Sequence, residues 1–314
     1  VEFLENYYQN QLTTDNIMIK GIILAGGTGS RMLPITQTVS KQLLPVYDKP
    51  MIYYSISTLM LAGIREILII TASNESELFK KLLGDGHQWG VKFEYAVQPI
   101  PVGIPQAFII GETFIGENKV CLMLGDNLLY GQGLQGILTK AIQNHTVGAT
   151  LFAYPVGDPE RYGIVVLDEN KKPVSITEKP AKPASNLAII GMYFYDNQVI
   201  EISKNLKPSV RGELEITAVN QHYLDQQQLN VVNLGRGMAW LDTGTPEALL
   251  DASNFINVIE KRQGFKICCP EEIAWRLNYI DDNQYETLAL HQQKSSYGKY
   301  LLGLLKLKIC FELT

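Results

Sequence analysis

The sequence predicts an α/β fold: a mostly parallel mixed central sheet with helices on both faces, in a Rossmann-like three-layer arrangement. Three observations predict it. Apolar runs of strand length alternate with helical segments from residue 22 to residue 155, the pattern of a parallel sheet built from crossover units. A glycine-rich stretch, Gly26, Gly27, Thr28 and Gly29, directly follows the first apolar run. Beyond residue 163 strands dominate, and from residue 245 the chain is mostly helical. A strand-rich part and a helical C-terminal region therefore complete the chain.

The elements follow in order. Ile22, Ile23 and Leu24 form a short apolar run of the kind buried on both faces. After the glycine stretch, residues 51–62 read as a helix closed by Gly63. A strand at 66–71, a helix at 75–83, a strand at 91–97 and a helix at 105–112 come next. Residues 119–124 form a strand that ends at Gly125, Asp126 and Asn127. A helix at 133–144 and a strand at 149–155 close the alternating part. Strands at 163–167 and 174–178 flank a turn-like run, 168–171. A strand at 188–195, helices at 198–204 and 213–225, and a strand at 229–234 follow. Ligands of such sheets bind beyond the carboxyl ends of the strands, where the glycine stretch and Gly125-Asp126-Asn127 both fall.

Totals narrow the function. With 46% hydrophobic residues in 314, a large buried core is available. A net charge of -5 argues against a broad nucleic-acid surface, so any phosphate must be met by a few local cations. Cys121, Cys268, Cys269 and Cys310 form no C-x-x-C pair and lie at no zinc spacing. The pattern suits a reduced, cytoplasmic protein, with Cys268 and Cys269 as small core residues. No apolar run approaches the roughly 20 residues of a membrane helix. Residues 1–17 carry no Lys or Arg and no apolar core, so they are no signal peptide. They read as a poorly ordered extension outside the fold, with Met18 just before the first strand.

The glycine stretch lets backbone N–H groups approach a ligand and cradle phosphate. Arg31 adds a planar cationic fork, and Lys41 follows ten residues later. Glycine turns also merely connect elements, and two better-known loops are excluded. No Gly-Lys-Ser/Thr follows, and Met32 stands where a dinucleotide fingerprint needs its third glycine. Asp126, directly after an apolar run, suits a magnesium ligand or a turn aspartate. Asp242, in A-W-L-D-T-G-T, is a second carboxylate after an apolar stretch, and the two could share one ion. Glu178 and Lys179 end another strand, as a sugar-hydroxyl acceptor and phosphate cation or as an exposed charge pair. Arg211 opens R-G-E-L-E, which also reads as an acidic helix start. Gln98 could read a pyrimidine edge through its amide or simply cap its loop, next to Gly103.

These stretches together resemble the short bacterial glucose-1-phosphate thymidylyltransferases of the sugar nucleotidyltransferase family. The resemblance runs from Met18 to about Leu305. It rests on G-G-T-G-S-R, S-K-Q-L-L-P-V-Y-D-K-P-M-I-Y-Y, G-D-N, D-P-E-R-Y-G, E-K-P, R-G-E-L-E-I-T, A-W-L-D-T-G-T and C-P-E-E-I-A, all in order. It implies the nucleotidyltransferase fold, and synthesis of dTDP-glucose and pyrophosphate from dTTP and glucose 1-phosphate with Mg2+. It implies Leu24, Gly26, Gly27, Gly29, Gln98 and Gly103 at the nucleotide, with Arg31 and Lys41 at the triphosphate. Asp126 and Asp242 fall at the metal. Gly163, Glu178 and Ile189 fall around the sugar, Lys179 at its phosphate, and Arg211 and Trp240 nearby. Residues 18–155 become a nucleotide-binding half, 156–244 a sugar-binding half and 245–314 C-terminal helices. A homotetramer and end-product inhibition are implied as well.

Four positions depart from the family pattern: Val102, Pro105, Ile190 and Ala218. Pro105 removes a backbone donor, which the first turn of a helix tolerates. Residues 307–314 differ from the usual family ending. Two rivals stand beside the enzyme reading. One is a non-catalytic sugar-nucleotide sensor on the same fold. The other is the same reaction with another nucleotide, or with an amino or deoxy sugar.

Overall fold

A computed structural model describes residues 19–27 and 29–307. The strands are β1 (Ile19–Ala25), β2 (Pro45–Val46), β3 (Lys49–Pro50), β4 (Glu66–Ala72), β5 (Lys92–Gln98), β6 (Lys119–Leu124) and β7 (Asn127–Gly131), then β8 (Ala149–Pro155), β9 (Gly163–Leu167), β10 (Pro173–Glu178), β11 (Leu187–Tyr195), β12 (Leu229–Asn233) and β13 (Met238–Asp242). The helices are α1 (Ile52–Leu61), α2 (Ser76–Leu83), α3 (Gln106–Ile110), α4 (Glu112–Ile115), α5 (Leu134–Asn144) and α6 (Val199–Lys204), then α7 (Ile216–Asp225), α8 (Pro246–Gln263), α9 (Pro270–Arg276), α10 (Asp282–His291) and α11 (Ser296–Leu307). The extension at 1–17, Cys310 and the divergent ending from 308 onward lie outside the described residues.

A nine-stranded sheet runs β10-β9-β11-β6-β1-β4-β5, with β8 on β11 and β12 on β8. β6, β1, β4 and β5 are mutually parallel. Strands β8 to β11 bring antiparallel pairing, so one mixed sheet spans both halves of the chain. The apolar run of β1 is explained by its place at the centre. Ile22, Ile23 and Ala25 are fully buried because helices cover both faces of a parallel sheet. Side chains alternate accordingly: Ile23 joins the core cluster with Ile56 and Phe79, and Ile22 joins the opposite one with Phe108 and Tyr223. Cys121, Cys268 and Cys269 are buried free thiols.

Three findings go beyond the sequence expectations. The helix expected at 105–112 is split at Gly111, which lies close against β1. A β-carbon there would stand 2.9 Å from Ile22 Cδ1. β7 and β13 form a separate two-stranded antiparallel sheet. β11 breaks register against β8 between Ile189 and Tyr193, resuming that pairing at Tyr193, and from Met192 onward it also pairs with β6. In the C-terminal part, Thr245 caps α8 by accepting from Ala248 N–H. Asp281 and Gln284 close a capping box on α10.

Candidate active site

Parallel pairing places the ends of four strands together. Ala25 is opposite Thr71, Ala72 opposite Gln98, and Leu24 opposite Leu124. The loops leaving β1, β5 and β6 therefore share one edge of the sheet. At that edge Gly26 faces Gln98, whose Oε1 is the nearest atom to the point a Gly26 β-carbon would occupy. Any larger residue would displace the amide. Gln98 is buried and donates from Nε2 to Gln106 Oε1 at 2.7 Å. Leu24 is the penultimate residue of β1. Gly27 and Gly29 take positive φ values of 112° and 57°, which other residues rarely adopt. Gly103, with φ 124°, forms a bridge to Leu214, and Leu214 N donates to Val102 O at 2.7 Å. The loop after β5 is thus tied to the stretch before α7.

Asp126 and Asp242 meet through the β7–β13 ladder, in which Asn127 is opposite Asp242. Thr243 fixes the crossing, donating to Asp126 O from its backbone N at 3.1 Å and from Oγ1 at 2.8 Å. Lys41 Nζ donates to Asp126 Oδ2, and Asn127 Nδ2 donates to Asp126 Oδ1 at 3.0 Å. Burial works to raise the Asp126 carboxyl, but the charge and hydrogen bond of Lys41 hold it below the usual carboxylate range. Asp242 is pushed up instead, by burial and by the charge of Asp126, against Arg31, Lys41 and Arg161. Arg31 reaches this pair because residue 244 is glycine: a β-carbon there would stand 2.9 Å from Arg31 Nη2 and 3.2 Å from Asp242 Oδ1. Two hard oxygen donors whose mutual repulsion is only partly offset are suited to a divalent cation. Among the described residues no group of three or more His, Cys, Asp or Glu is placed to hold a metal alone. An ion here would need phosphate or water oxygens as well.

A second cluster gathers Gly163, Glu178 and Ile189. Gly163 is opposite Glu178 in the β9–β10 ladder, and a β-carbon on it would lie 3.2 Å from Glu178 Oε2 and 3.9 Å from Ile189 Cδ1. Thr217 Oγ1 donates to Glu178. Lys179 has a positive φ of 41°, donates its N–H to Tyr162 O at 3.0 Å, and holds Nζ 3.9 Å from Glu178. Arg211 pairs with Glu213 and Glu215 and stands 4.0 Å from Glu178. Ile190 is fully buried in the opposite core cluster from Ile189, so its side chain faces away from this group.

Sequence reasoning named Trp240 but missed Asn127, Gly191, Tyr162 and Tyr193. Trp240 donates its indole N–H to Asn127 Oδ1 at 2.7 Å, and Gly191 N donates to the same oxygen at 3.0 Å. The register break in β11 frees that N–H for Asn127. Tyr162 packs edge-on to Trp240 at 5.0 Å, and its hydroxyl is raised by burial and by Asp242. Tyr193 is buried, and its hydroxyl is raised by that burial and then by the charges of Glu178 and Asp126. G-D-N and D-P-E-R-Y-G were visible as motifs, but only tertiary contacts mark Asn127 and Tyr162. A cavity of about 670 Å³ lies elsewhere, lined by Asp196, Glu201, Leu206, Ala218 and His222 among others. We discount it as the site of chemistry, because its buried carboxylate Asp196 is already engaged by Gly148 N, Gln198 and Tyr223.

Comparisons with known proteins place the chain in a family. The profile of nucleotidyl transferases matches residues 20–258. A glucose-1-phosphate thymidylyltransferase of Neisseria meningitidis is 57% identical over 289 residues, covering 92% of this chain and all of the relative. One of Mycobacterium tuberculosis is 54% identical, covering 92% and 99%. A Bacillus anthracis structure assigned to the same activity and solved with sucrose is 40% identical. Its TM-score is 0.70, over 76% of this chain and 94% of that one. A UDP-glucose pyrophosphorylase complexed with UDP-glucose is 26% identical with a TM-score of 0.66, over 78% and 100%. The chain belongs to the nucleotidyl transferase family, and within it to the glucose-1-phosphate thymidylyltransferases.

Proposed function

We propose that the protein transfers the thymidylyl group of dTTP to α-D-glucose 1-phosphate, yielding dTDP-glucose and pyrophosphate. The observation that carries this reading is the Asp126–Asp242 pair. It lies on the sheet edge that holds Gly26 and Gln98, and Trp240, bonded to Asn127, packs on Tyr162, whose backbone oxygen accepts from Lys179 N–H. In this reading residues 18–155 take the nucleotide, 156–244 take the sugar, and 245–314 are supporting helices.

An oxygen of the sugar phosphate attacks the α-phosphorus in line with the departing pyrophosphate. The attacking group is already an anion, so no strong base is needed, and catalysis is positioning plus charge neutralisation. Gln98 and Gly103 hold the base, and Gly26, Gly27 and Gly29 let the backbone approach the phosphates. Arg31 stabilises the pyrophosphate as its charge grows. Lys41, which balances Asp126, shares in that stabilisation. Lys179 holds the attacking phosphate, and Glu178 accepts from sugar hydroxyls beside Gly163 and Ile189. Arg211 and Trp240 border the sugar. Asp126 and Asp242 would hold Mg2+, which when bound supplies a Lewis acid at the phosphate oxygens.

The proposal extends by family likeness to a cytoplasmic homotetramer that opens dTDP-sugar synthesis of the dTDP-rhamnose type. No helix among the described residues is long and apolar enough to cross a membrane. The test is pyrophosphate release with each nucleoside triphosphate and a panel of sugar 1-phosphates. The best pair is expected to be dTTP and glucose 1-phosphate, with UTP used less well. ATP or GTP turned over as fast as dTTP would overturn the reading of the base site.

A further inference from the structure

Three amides beside the glycine loop form a chain whose polarity is set from one end. The backbone N–H of Val102 can only donate. It lies 3.2 Å from the terminal atom of Gln106, which must therefore be the oxygen, Oε1. That oxygen stands 2.7 Å from the end of Gln98, so the Gln98 atom facing it must be the nitrogen, Nε2. Side-chain amides are otherwise ambiguous between their two orientations; the backbone donor removes the ambiguity at both glutamines. Gln98 Oε1 is left directed at Gly26, where it is the atom nearest the position a β-carbon would take. Gln98 is only 3% exposed. Val102 brings no polar side chain to the network.

We infer that Gln106 is a positioning residue that fixes the amide of Gln98 and so sets the choice between keto pyrimidines and cytosine. The inference rests on the reading that Gln98 meets the base. Thymine and uracil present an N3–H donor beside carbonyl acceptors. An amide with its oxygen held toward the base accepts from N3–H, and the second hydrogen of its nitrogen is free for the neighbouring carbonyl. Cytosine reverses the pattern, with a bare N3 acceptor beside an amino donor. It would require Gln98 to turn over, which would set Gln98 Oε1 against Gln106 Oε1, two acceptors with no proton between them. Leaving buried polar groups mispaired is costly, and hydrogen-bonding sites discriminate sharply for that reason. Gln106 thus acts on specificity without touching the substrate.

The experiment compares kcat/KM for dTTP, UTP and dCTP, each with saturating glucose 1-phosphate, across the wild type and four variants. Gln106→Met removes the acceptor at nearly constant length, and Gln106→Ala repeats the removal should Met pack badly. Both are expected to lower the dTTP-to-dCTP ratio by about tenfold or more, with UTP following dTTP. Gln106→Glu keeps an acceptor in place and is expected to hold the ratio within about threefold. Equal losses for all three nucleotides in Gln106→Met and Gln106→Ala would reduce Gln106 to a packing residue and overturn the inference. Gln98→Ala separates the two levels of argument. If it collapses the ratio while the Gln106 variants do not, only this inference fails. If Gln98→Ala leaves the ratio unchanged, Gln98 does not meet the base, and the underlying assignment fails with it.

Discussion

Asn127 and Asp242 are directly paired across the β7–β13 ladder, and that one pairing brings together carboxylates more than a hundred residues apart in the chain. Asp126 immediately precedes the paired Asn127. Thr243, immediately after Asp242, reaches back to Asp126 O. A slip of one residue would turn the side chains of one strand to the other face and separate the pair.

The first prediction follows from that pairing. Asp126→Asn and Asp242→Asn keep size and remove charge, and each is expected to cost several kcal/mol of transition-state stabilisation with the fold intact. The double variant is expected to be little worse than either single one, because one lost ligand already disables a shared ion. Turnover across a Mg2+ titration, with thermal melts as a fold control, makes the measurement. Multiplicative losses in the double variant, or undiminished turnover in EDTA, would refute the shared site.

Thr243 offers a gentler probe of the same geometry. It is fully buried, and Thr243→Val deletes the hydroxyl bond to Asp126 O. A loss of about 0.5–1.5 kcal/mol in stability is expected from one neutral hydrogen bond. A fall in kcat is expected beside it, and Thr243→Ser should restore both. A stability loss with kcat unchanged would show that the hydroxyl does not position Asp126.

Arg31 and Lys179 are predicted to fail differently. Hydrogen bonds to charged groups contribute about 1.5–3 kcal/mol, or roughly 10- to 150-fold. Arg31→Ala is expected to lower turnover, since pyrophosphate charge grows toward the transition state. Lys179→Ala is expected to raise the KM for glucose 1-phosphate more than that for dTTP. Small and equal losses for both substrates in both variants would mark these side chains as surface charges.

His145 gives a pH prediction away from the site. Burial, and then the charge of Lys119, depress its pKa from 6.5 to about 4. Its Nδ1 is 3.1 Å from Thr150 Oγ1. A backbone hydrogen bond with Tyr195 and then the charge of Asp196 favour protonation, but less strongly than these effects oppose it. The unfolded chain takes up a proton near pH 6.5 that the folded one refuses until about pH 4. Stability is therefore intact above the upper value and falls as pH drops toward the lower, by on the order of 3 kcal/mol in all. Thermal melts from pH 7 to pH 4, with His145→Gln expected to flatten the slope, make the test. An unchanged slope in the variant would assign the acid sensitivity elsewhere.

Much of the fold was legible because its signals are local. The apolar runs of β1, β4 and β6 have no polar positions because a central parallel strand has no solvent face. Glycine punctuation and helix periodicity set most of the remaining boundaries to within a few residues. β7 was missed for a physical reason. It begins within Gly125-Asp126-Asn127, whose turn chemistry dominates the local signal, and its partner, β13, lies far along the chain. The break at Gly111 was likewise invisible, since it reflects a close approach to Ile22.

By itself the sequence determined the fold class, the family and the chemical types of the candidate site: glycines without side chains, two cationic arms, carboxylates after apolar runs. Each depends on residue type and spacing within one segment. Only the tertiary structure decided which groups face each other. It paired Lys41 with Asp126, pushed Asp242 up by placing it beside that charge, turned Ile189 toward Glu178 and Ile190 away from it, and fixed Gln98 through Gln106 and a backbone N–H. These relationships come from strand register and from hydrogen-bond partners contributed by distant segments. Neither leaves a periodic trace in the segment that carries the residue.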